Sequence, residues 1–182
     1  MPHQNRSLED WTWEQISSGR IADFHARCGR LDPSSPQGWD DDRRVSTAFL
    51  RKIFYAKPFR DEIPPEGVRL IGAWFPDGLA LPDGHLHRQL WINQSRFEKS
   101  VDLSGQMVET RLSLEGSFIT TAQNTSPALN LQNATIKRQF NLDNACIEGA
   151  LLMNGIEIGQ HLFMQYGRFG VSIYQVQMLR AI

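Results

Sequence analysis

Few residues of this chain combine a reactive type with a spacing that could support chemistry. His85 and His87 are separated by one residue, so on a strand both imidazole rings would lie on the same side. Two imidazoles alone rarely make a zinc site, because zinc takes three or four protein ligands. Cys28 and Cys146 lie too far apart in the sequence to form a metal-ligating pair. We therefore predict no metal and no cofactor.

Motifs for nucleotide chemistry are also absent from the sequence. It contains no Gly-x-Gly-x-x-Gly fingerprint and no phosphate-binding Gly-Lys-Ser/Thr loop. The charges nearly cancel, with 19 Lys and Arg against 20 Asp and Glu, for a formal net charge of −1. This balance argues against a basic nucleic-acid-binding protein, so no nucleic-acid partner is predicted.

The sequence predicts a cytoplasmic protein. Its polar start contains no secretory apolar core, and no apolar run approaches the roughly 20 residues that span a bilayer. Two cysteines are too few for a disulfide framework, which indicates a reducing compartment.

An eleven-residue repeat extends from Val68 to Phe169, and three of its positions are apolar in all nine units. The first positions are Val68, Leu79, Leu90, Val101, Leu112, Leu129, Phe140, Leu151 and Leu162. The third positions are Leu70, Leu81, Ile92, Leu103, Leu114, Leu131, Leu142, Met153 and Met164. The eighth positions are Phe75, Leu86, Phe97, Val108, Ile119, Ile136, Ile147, Ile158 and Phe169. Because side chains alternate along a strand, the first and third positions share one face, and we expect all three positions to point inward.

The fifth position of each unit has the chemistry of a turn. It is Gly or Asn in six units: Gly72, Gly105, Gly116, Gly155, Asn133 and Asn144. These residues tolerate positive φ, so each unit predicts two short strands joined by bends. Two units, or about 22 residues, would form one four-sided coil, and stacked coils would pair their strands in parallel.

Several units also contain a small-x-apolar triad. The triads are Ala134-Thr135-Ile136, Ala145-Cys146-Ile147, Ala73-Trp74-Phe75 and Ser95-Arg96-Phe97. In these triads the chain resembles pentapeptide-repeat proteins. It is also similar to a group of bacterial proteins with an eleven-residue L-x-L-x-G-A-x-I pattern behind a helical N-terminus, some of them labelled membrane-associated oxidoreductases. The resemblance covers residues 68–169 and implies a mainly β fold, a right-handed parallel four-sided β-helix.

Residues 1–66 lack the repeat, and we interpret them as an N-terminal α-helical cap on a solenoid of residues 67–182. Ser7 and Asp10 predict the start of a first helix. Asp40, Asp41 and Asp42 predict the start of a second helix, which Pro58 would end. An independent binding module is the alternative interpretation of this region.

One interval between repeat units is six residues too long. The extra residues predict a loop insertion at 120–127, with a turn at Asn124-Thr125-Ser126-Pro127. Such a loop either carries function or is a tolerated surface insertion.

The function that we expect is a non-catalytic protein-interaction scaffold whose partner the sequence does not identify. Trp74, Trp91, Phe118 and Asn124 are the candidate interaction residues, although packing beneath the N-terminal helices better accounts for the three aromatic residues. The C-terminal coil lacks a blunting element, so we also expect a homodimer through residues 162–182.

Two other functions remain open. A carbohydrate-active β-helix enzyme would need acidic residues to converge on one outer face. The stacked ninth positions instead give His87, Glu109, Lys137 and Gly159 on one side, and Pro76, Glu98, Thr120, Glu148 and Gly170 on the other. A DNA-mimicking topoisomerase-binding protein of the pentapeptide type would need strong negative charge, whereas the repeat region is nearly neutral.

Overall fold

The computed structural model describes residues 7–121 and 127–170, together with the backbone of residues 173–174. The described part of the chain contains twenty short strands, which form four parallel sheets. The helices all lie before residue 63: α1 (Leu8–Ser17), α2 (Phe24–Cys28), a 3-10 turn (Asp41–Arg43), α3 (Thr47–Tyr55) and α4 (Phe59–Glu62). The fold is therefore a parallel β-rich one with a helical N-terminal segment.

The chain visits the four sheets in turn. Sheet 1 contains β1 (Ala22–Asp23), β2 (Val68–Ile71), β6 (Leu90–Asn93), β10 (Arg111–Ser113), β14 (Gln139–Asn141) and β18 (His161–Phe163). Sheet 2 contains β3 (Trp74–Phe75), β7 (Arg96–Phe97), β11 (Phe118–Thr120), β15 (Cys146–Glu148) and β19 (Arg168–Phe169). Sheet 3 contains β4 (Leu79–Ala80), β8 (Val101–Asp102), β12 (Leu129–Asn130), β16 (Leu151–Leu152) and β20 (Ile173–Tyr174). Sheet 4 contains β5 (His85–Leu86), β9 (Met107–Val108), β13 (Thr135–Ile136) and β17 (Glu157–Ile158).

The strand register follows the sequence repeat. Val68 pairs with Leu90, 22 residues further along the chain. Across the sequence insertion the step is longer, since Leu112 pairs with Phe140. Residues 122–126 of the insertion, with Asn124 among them, lie outside the described residues.

The predicted inward positions are buried along most of the array. All first, third and eighth positions from Val68 to Met153 are buried. These inward side chains, which come from all four sheets, belong to one apolar cluster. The exceptions are Ile158 and the last unit, where Leu162, Met164 and Phe169 are half-buried. Burial of the repeat core is thus confirmed except at its C-terminal end.

Each bend of the array has a left-handed residue at the fifth position of its unit. The predicted Gly and Asn residues have positive φ, for example 70° at Gly72 and 57° at Asn144. Asp83, Gln94 and Tyr166 adopt the same conformation in the three remaining units. The repeated register therefore imposes this backbone even where the residue type does not favour it.

The first helix begins as expected, but the second does not. Ser7 Oγ accepts a hydrogen bond from the Asp10 amide, and the Asp10 carboxylate accepts one from the Ser7 amide, which completes a capping box. The prediction of a second helix from Asp40 is wrong. Asp40 caps only the 3-10 turn, after which the Val45 amide donates to the Trp74 carbonyl (2.9 Å). Ser46 then caps α3, because its hydroxyl accepts from the Phe49 amide (3.0 Å).

The N-terminal segment covers the first strands of the array. β1 pairs with β2 in parallel, so that Ala22 lies opposite Leu70. On another side, Thr47 in α3 exchanges hydrogen bonds of 3.3 Å with the Gly78 carbonyl and the Ala80 amide. Leu50 and Ile53 of α3 are fully buried within the same apolar cluster as the repeat core.

A buried arginine holds this segment together. Arg43 is 2% exposed, and its guanidinium donates to the carbonyl oxygens of Gly29 and Gly72. One of its nitrogens also lies 3.4 Å from Nδ1 of His25. Burial lowers the pKa of His25, and the neighbouring Arg43 charge lowers it further. The first bend of the array at Gly72 is thereby tied to two points in the N-terminal segment.

Candidate functional site

A shallow groove lies on the outer face of sheet 1. One row of paired residues crosses it: Trp91 lies opposite Ser113, Ser113 opposite Asn141, and Asn141 opposite Phe163. The row therefore places a large aromatic side chain at each end and two small polar ones between them. We call this hollow of about 180 Å³ the sheet-1 groove; its lining consists of Trp91, Asn93, Arg111, Leu112, Ser113, Glu115, Gln139, Asn141 and Phe163.

Hydrogen bonds among the lining side chains fix the floor of the sheet-1 groove. Ser113 Oγ donates to Asn93 Oδ1 (2.7 Å), and Asn141 Nδ2 donates to Glu115 Oε2 (3.1 Å). Asn141 Oδ1 in turn accepts from the Asp143 amide (2.8 Å). Side chains held from both ends lose little conformational entropy when a ligand binds, which favours recognition by this surface.

A second hollow, of about 560 Å³, adjoins the sheet-1 groove. Glu115 lines both hollows. The other lining residues come from the bends of the array and from an N-terminal loop: Arg30, Leu31, Asp32, Pro33, Gln94, Gly116 and Asn144. Hydrogen bonds from the amide and hydroxyl of Ser34 lower the pKa of Asp32, so this carboxylate is held in its charged form.

The structure does not bring the predicted interaction residues together. Of the three that the structure describes, only Trp91 lies in the sheet-1 groove, and its indole N–H is buried with no hydrogen-bond partner among the described residues. Trp74 lies half-buried on sheet 2, where its carbonyl accepts from Val45. Phe118 is 6% exposed. The Arg96 guanidinium lies over its ring, 4.6 Å from the ring centroid.

The arginine that covers Phe118 also contacts the N-terminal segment. Arg96 donates to the Pro33 carbonyl (2.7 Å) and to Glu98 Oε1 (2.6 Å), so it links the N-terminal loop to sheet 2. Phe118 thus lies beneath a side chain of the neighbouring strand β7 that the N-terminal loop helps to hold. Asn124 lies outside the described residues.

Sequence reasoning missed Ser113, Asn141 and Phe163 as members of one site. All three occupy the second position of their units and lie on the outer face. The residue type at this position does not repeat from unit to unit, so the repeat pattern did not reveal them. A signal was nevertheless present: second positions two units apart stack, and Trp91 and Phe163 are the aromatic members of that stack.

His85 takes part in a surface ion-pair network, and the ring of His87 lies against it. The rings of His85 and His87 lie on one side of the chain, with centroids 3.9 Å apart. His85 Nε2 lies 2.6 Å from Glu109 Oε1, and Lys137 Nζ lies 2.7 Å from Glu109 Oε2. The hydrogen bond from Lys137, followed by that from His85, lowers the pKa of Glu109. Within the described residues no group of three or more His, Cys, Asp or Glu side chains is placed to hold a metal ion.

The comparisons with known proteins give no relative from which a function could be carried over. Within residues 7–121 and 127–170, no helix has both the length and the apolar character that crossing a bilayer requires. No protein-family model, curated protein or solved structure matches this chain.

Proposed function

We propose that the chain is a non-catalytic protein-interaction scaffold built as a right-handed, four-sided parallel β-helix of about 22 residues per coil. The visiting order of the four sheets and their constant register support this architecture. So do the left-handed residues at the bends and the resemblance to pentapeptide-repeat proteins. A stack of this kind presents fixed side-chain rows on its faces and strand edges at its ends.

The interaction for which the structure offers most support is self-association through the C-terminal end. β17, β18, β19 and β20 each stand last in their sheets. Inward positions that are buried elsewhere are half-buried here, namely Ile158, Leu162, Met164 and Phe169. Among the described residues, no segment covers this end. The half-exposure of these inward residues is the observation on which the proposal depends.

A second copy of the chain suits this end chemically. Across a two-fold axis, the edge strands of two copies would run antiparallel and exchange their unpaired N–H and C=O groups. The same contact would bury the half-exposed apolar residues of both copies, which provides the main driving force for association.

Sedimentation velocity at low micromolar concentration tests this proposal, and we expect a dimer. Phe169→Lys places a charge at the end of the core and should give a monomer that remains folded by circular dichroism. Met107→Lys is the matched control, because it adds the same charge away from the C-terminal end. Met107 is 37% exposed and lies on β9, an interior strand of sheet 4. This variant should remain dimeric.

A wild-type chain that sediments as a monomer would contradict the proposal. A Phe169→Lys variant that stays dimeric while folded would place the interface elsewhere on the molecule. The Val171→Lys substitution, which the sequence alone suggests, lies outside the described residues.

A further inference from the structure

The two aromatic residues of the sheet-1 groove stand at a distance that excludes one class of ligand. The strands that carry Trp91 and Phe163 are three strand spacings apart, or about 14 Å. A single flat base sandwiched between two rings needs them only about 7–8 Å apart, twice a carbon–carbon contact. The groove is instead open between its two aromatic ends, because the small side chains of Ser113 and Asn141 leave space above the strands. A chain of linked, non-planar rings can instead lie along the row, with a separate ring against each aromatic side chain.

The polar groups of the sheet-1 groove are balanced in charge and in hydrogen-bonding type. Arg111 and Glu115 supply one positive and one negative group, so the lining does not favour a phosphate or a strongly acidic peptide. The amides of Asn93, Gln139 and Asn141 both donate and accept hydrogen bonds. The Arg111 guanidinium is exposed and has no hydrogen-bond or ion-pair partner among the described residues.

These features match the chemistry of a sugar ring. A pyranose has apolar C–H faces that pack on aromatic rings, and hydroxyl groups around its edge that both donate and accept. Planar amide, carboxylate and guanidinium groups are suited to pairs of neighbouring hydroxyls, since each offers two adjacent polar atoms. The geometry points to a saccharide-binding site in the sheet-1 groove, with Trp91 and Phe163 as stacking residues and Asn141 and Glu115 as hydrogen-bonding residues.

The adjoining hollow indicates that the ligand is a chain of sugars rather than one ring. It continues from Glu115 towards Gln94, Asn144 and the N-terminal loop with Arg30. These side chains are again polar, and their elements are fixed by the array and by the Arg96 contact to Pro33. A short oligosaccharide would therefore place one ring over Ser113 and extend past Glu115.

The sheet-1 groove by itself lacks the pair of carboxyl groups that a glycosidase uses, although Asp32 lines the adjoining hollow. Glycosidases use two carboxyl groups about 5–10 Å apart, one as acid and one as base or nucleophile. The lining of the sheet-1 groove contributes one carboxylate, Glu115, and an Asn141 hydrogen bond already engages it. The inference does not rest on self-association: Phe163 lies on the edge strand β18, but its side chain lines the outer face, whereas self-association would use the backbone edge of that strand.

An array of linear pyranose oligosaccharides, covering neutral, amino and uronate sugars, tests the inference. The full chain is applied with a fluorescent label, and each hit is titrated by saturation-transfer NMR. We expect binding to at least one oligosaccharide, weakened roughly tenfold or more in Phe163→Ala. Tyr166→Ala is the matched control, because this aromatic residue of the same unit is 85% exposed and lies outside the groove. It should bind like the wild type.

Asn141→Phe provides a second, independent variant. It fills the floor of the sheet-1 groove while leaving both aromatic residues in place, and it should abolish binding in a protein that melts like the wild type. The inference is overturned if no sugar binds above the Phe163→Ala signal, or if Asn141→Phe binds as well as the wild type. Sedimentation of the same samples shows separately whether the dimer persists, so the two proposals can fail independently.

Discussion

Among the residues that the structure describes, the two ends of the repeat array differ in what covers them. At the N-terminal end, β1 extends sheet 1 and α3 packs on the first units, so that Leu70 and Phe75 are fully buried. At the C-terminal end, Phe169 occupies the same eighth position as Phe75 but is only half-buried. Because the units are alike, the difference comes from the segment added at one end. Burial in a stacked fold therefore depends on neighbours in the stack as much as on the residue itself.

The largest expected effect comes from truncating the same residue type at an interior and an end position. Phe97 is fully buried and its ring stacks on Phe75 with centroids 4.5 Å apart. Phe97→Ala should lower the free energy of unfolding by about 3–5 kcal/mol, because it leaves a cavity in a packed column. Phe169→Ala should cost less than about 2 kcal/mol in the monomer, because its site can relax into solvent.

Chemical denaturation at several protein concentrations measures both effects. The loss in Phe97→Ala should be the same at every concentration. The loss in Phe169→Ala should grow where the wild type is dimeric, because dimerisation buries the ring. Equal losses in the two variants would show that burial at the end of the array contributes as much free energy as burial in its interior.

The second prediction concerns a variant that weakens the attachment of the N-terminal segment to the first strands of the array. Arg43→Lys replaces a forked guanidinium, which reaches Gly29 and Gly72 together, by a single ammonium group. The buried carbonyls that lose a donor should reduce stability by about 1–3 kcal/mol. Trypsin should then cut faster at Arg27 and Arg30, which are exposed on either side of Gly29.

The neighbouring Arg44→Lys variant is the control for this prediction. Arg44 is exposed and forms ion pairs with Asp77 and Asp41 at the surface. Such pairs contribute little, so this variant should stay within about 0.5 kcal/mol of the wild type. If the two lysine variants were equally stable, Arg43 would not be the residue that fastens the N-terminal segment.

The regular part of the fold could be predicted from sequence and the irregular part could not. The strand register could be predicted because apolar residues recur at three fixed positions of each unit. Gly or Asn, as at Gly72 and Asn144, marks the bend in most units. β1 is two residues long and has no local signal, since only its pairing with β2 makes it a strand. Asp40 and Ser46 are both good helix caps, and the hydrogen bond between Val45 and Trp74 decides between them.

The sheet-1 groove was hidden for a related reason. Its members lie on or beside four different strands, β6, β10, β14 and β18, and its four central residues are far apart in sequence. Trp91 could be selected as an outward aromatic residue, but the low floor at Ser113 and Asn141 becomes visible only when strands are placed side by side. Outward positions do not have to fit the packed core, so residues that form a binding site there need not recur at a fixed interval in the sequence.

The smallest predicted effect is a loosening of the N-terminal cover by acid. The pKa of His25 is lowered from 6.5, first by burial and then by the Arg43 charge, while Asp23 opposes this and Arg30 adds to it. In the unfolded chain His25 takes up a proton as the pH falls through about 6.5, but in the folded chain it resists until a lower pH. Stability is therefore fully present above pH about 6.5 and declines below it.

His25→Asn should remove this dependence, because its amide oxygen can accept in place of Nδ1 but takes up no proton in this range. Thermal melts between pH about 7.5 and about 5.5 should show a falling melting temperature in the wild type and a flatter profile in the variant. Glu109 does not interfere, since its own pKa is lowered from 4.5 and its contribution is lost only below that value. At the acidic end of this range, trypsin should cut the wild type at Arg27 and Arg30 faster than it cuts His25→Asn at the same pH, while Arg96, which is 6% exposed in the array, should remain uncut in both. A wild-type melting temperature that is constant across this range would show that the cover is insensitive to the protonation of His25.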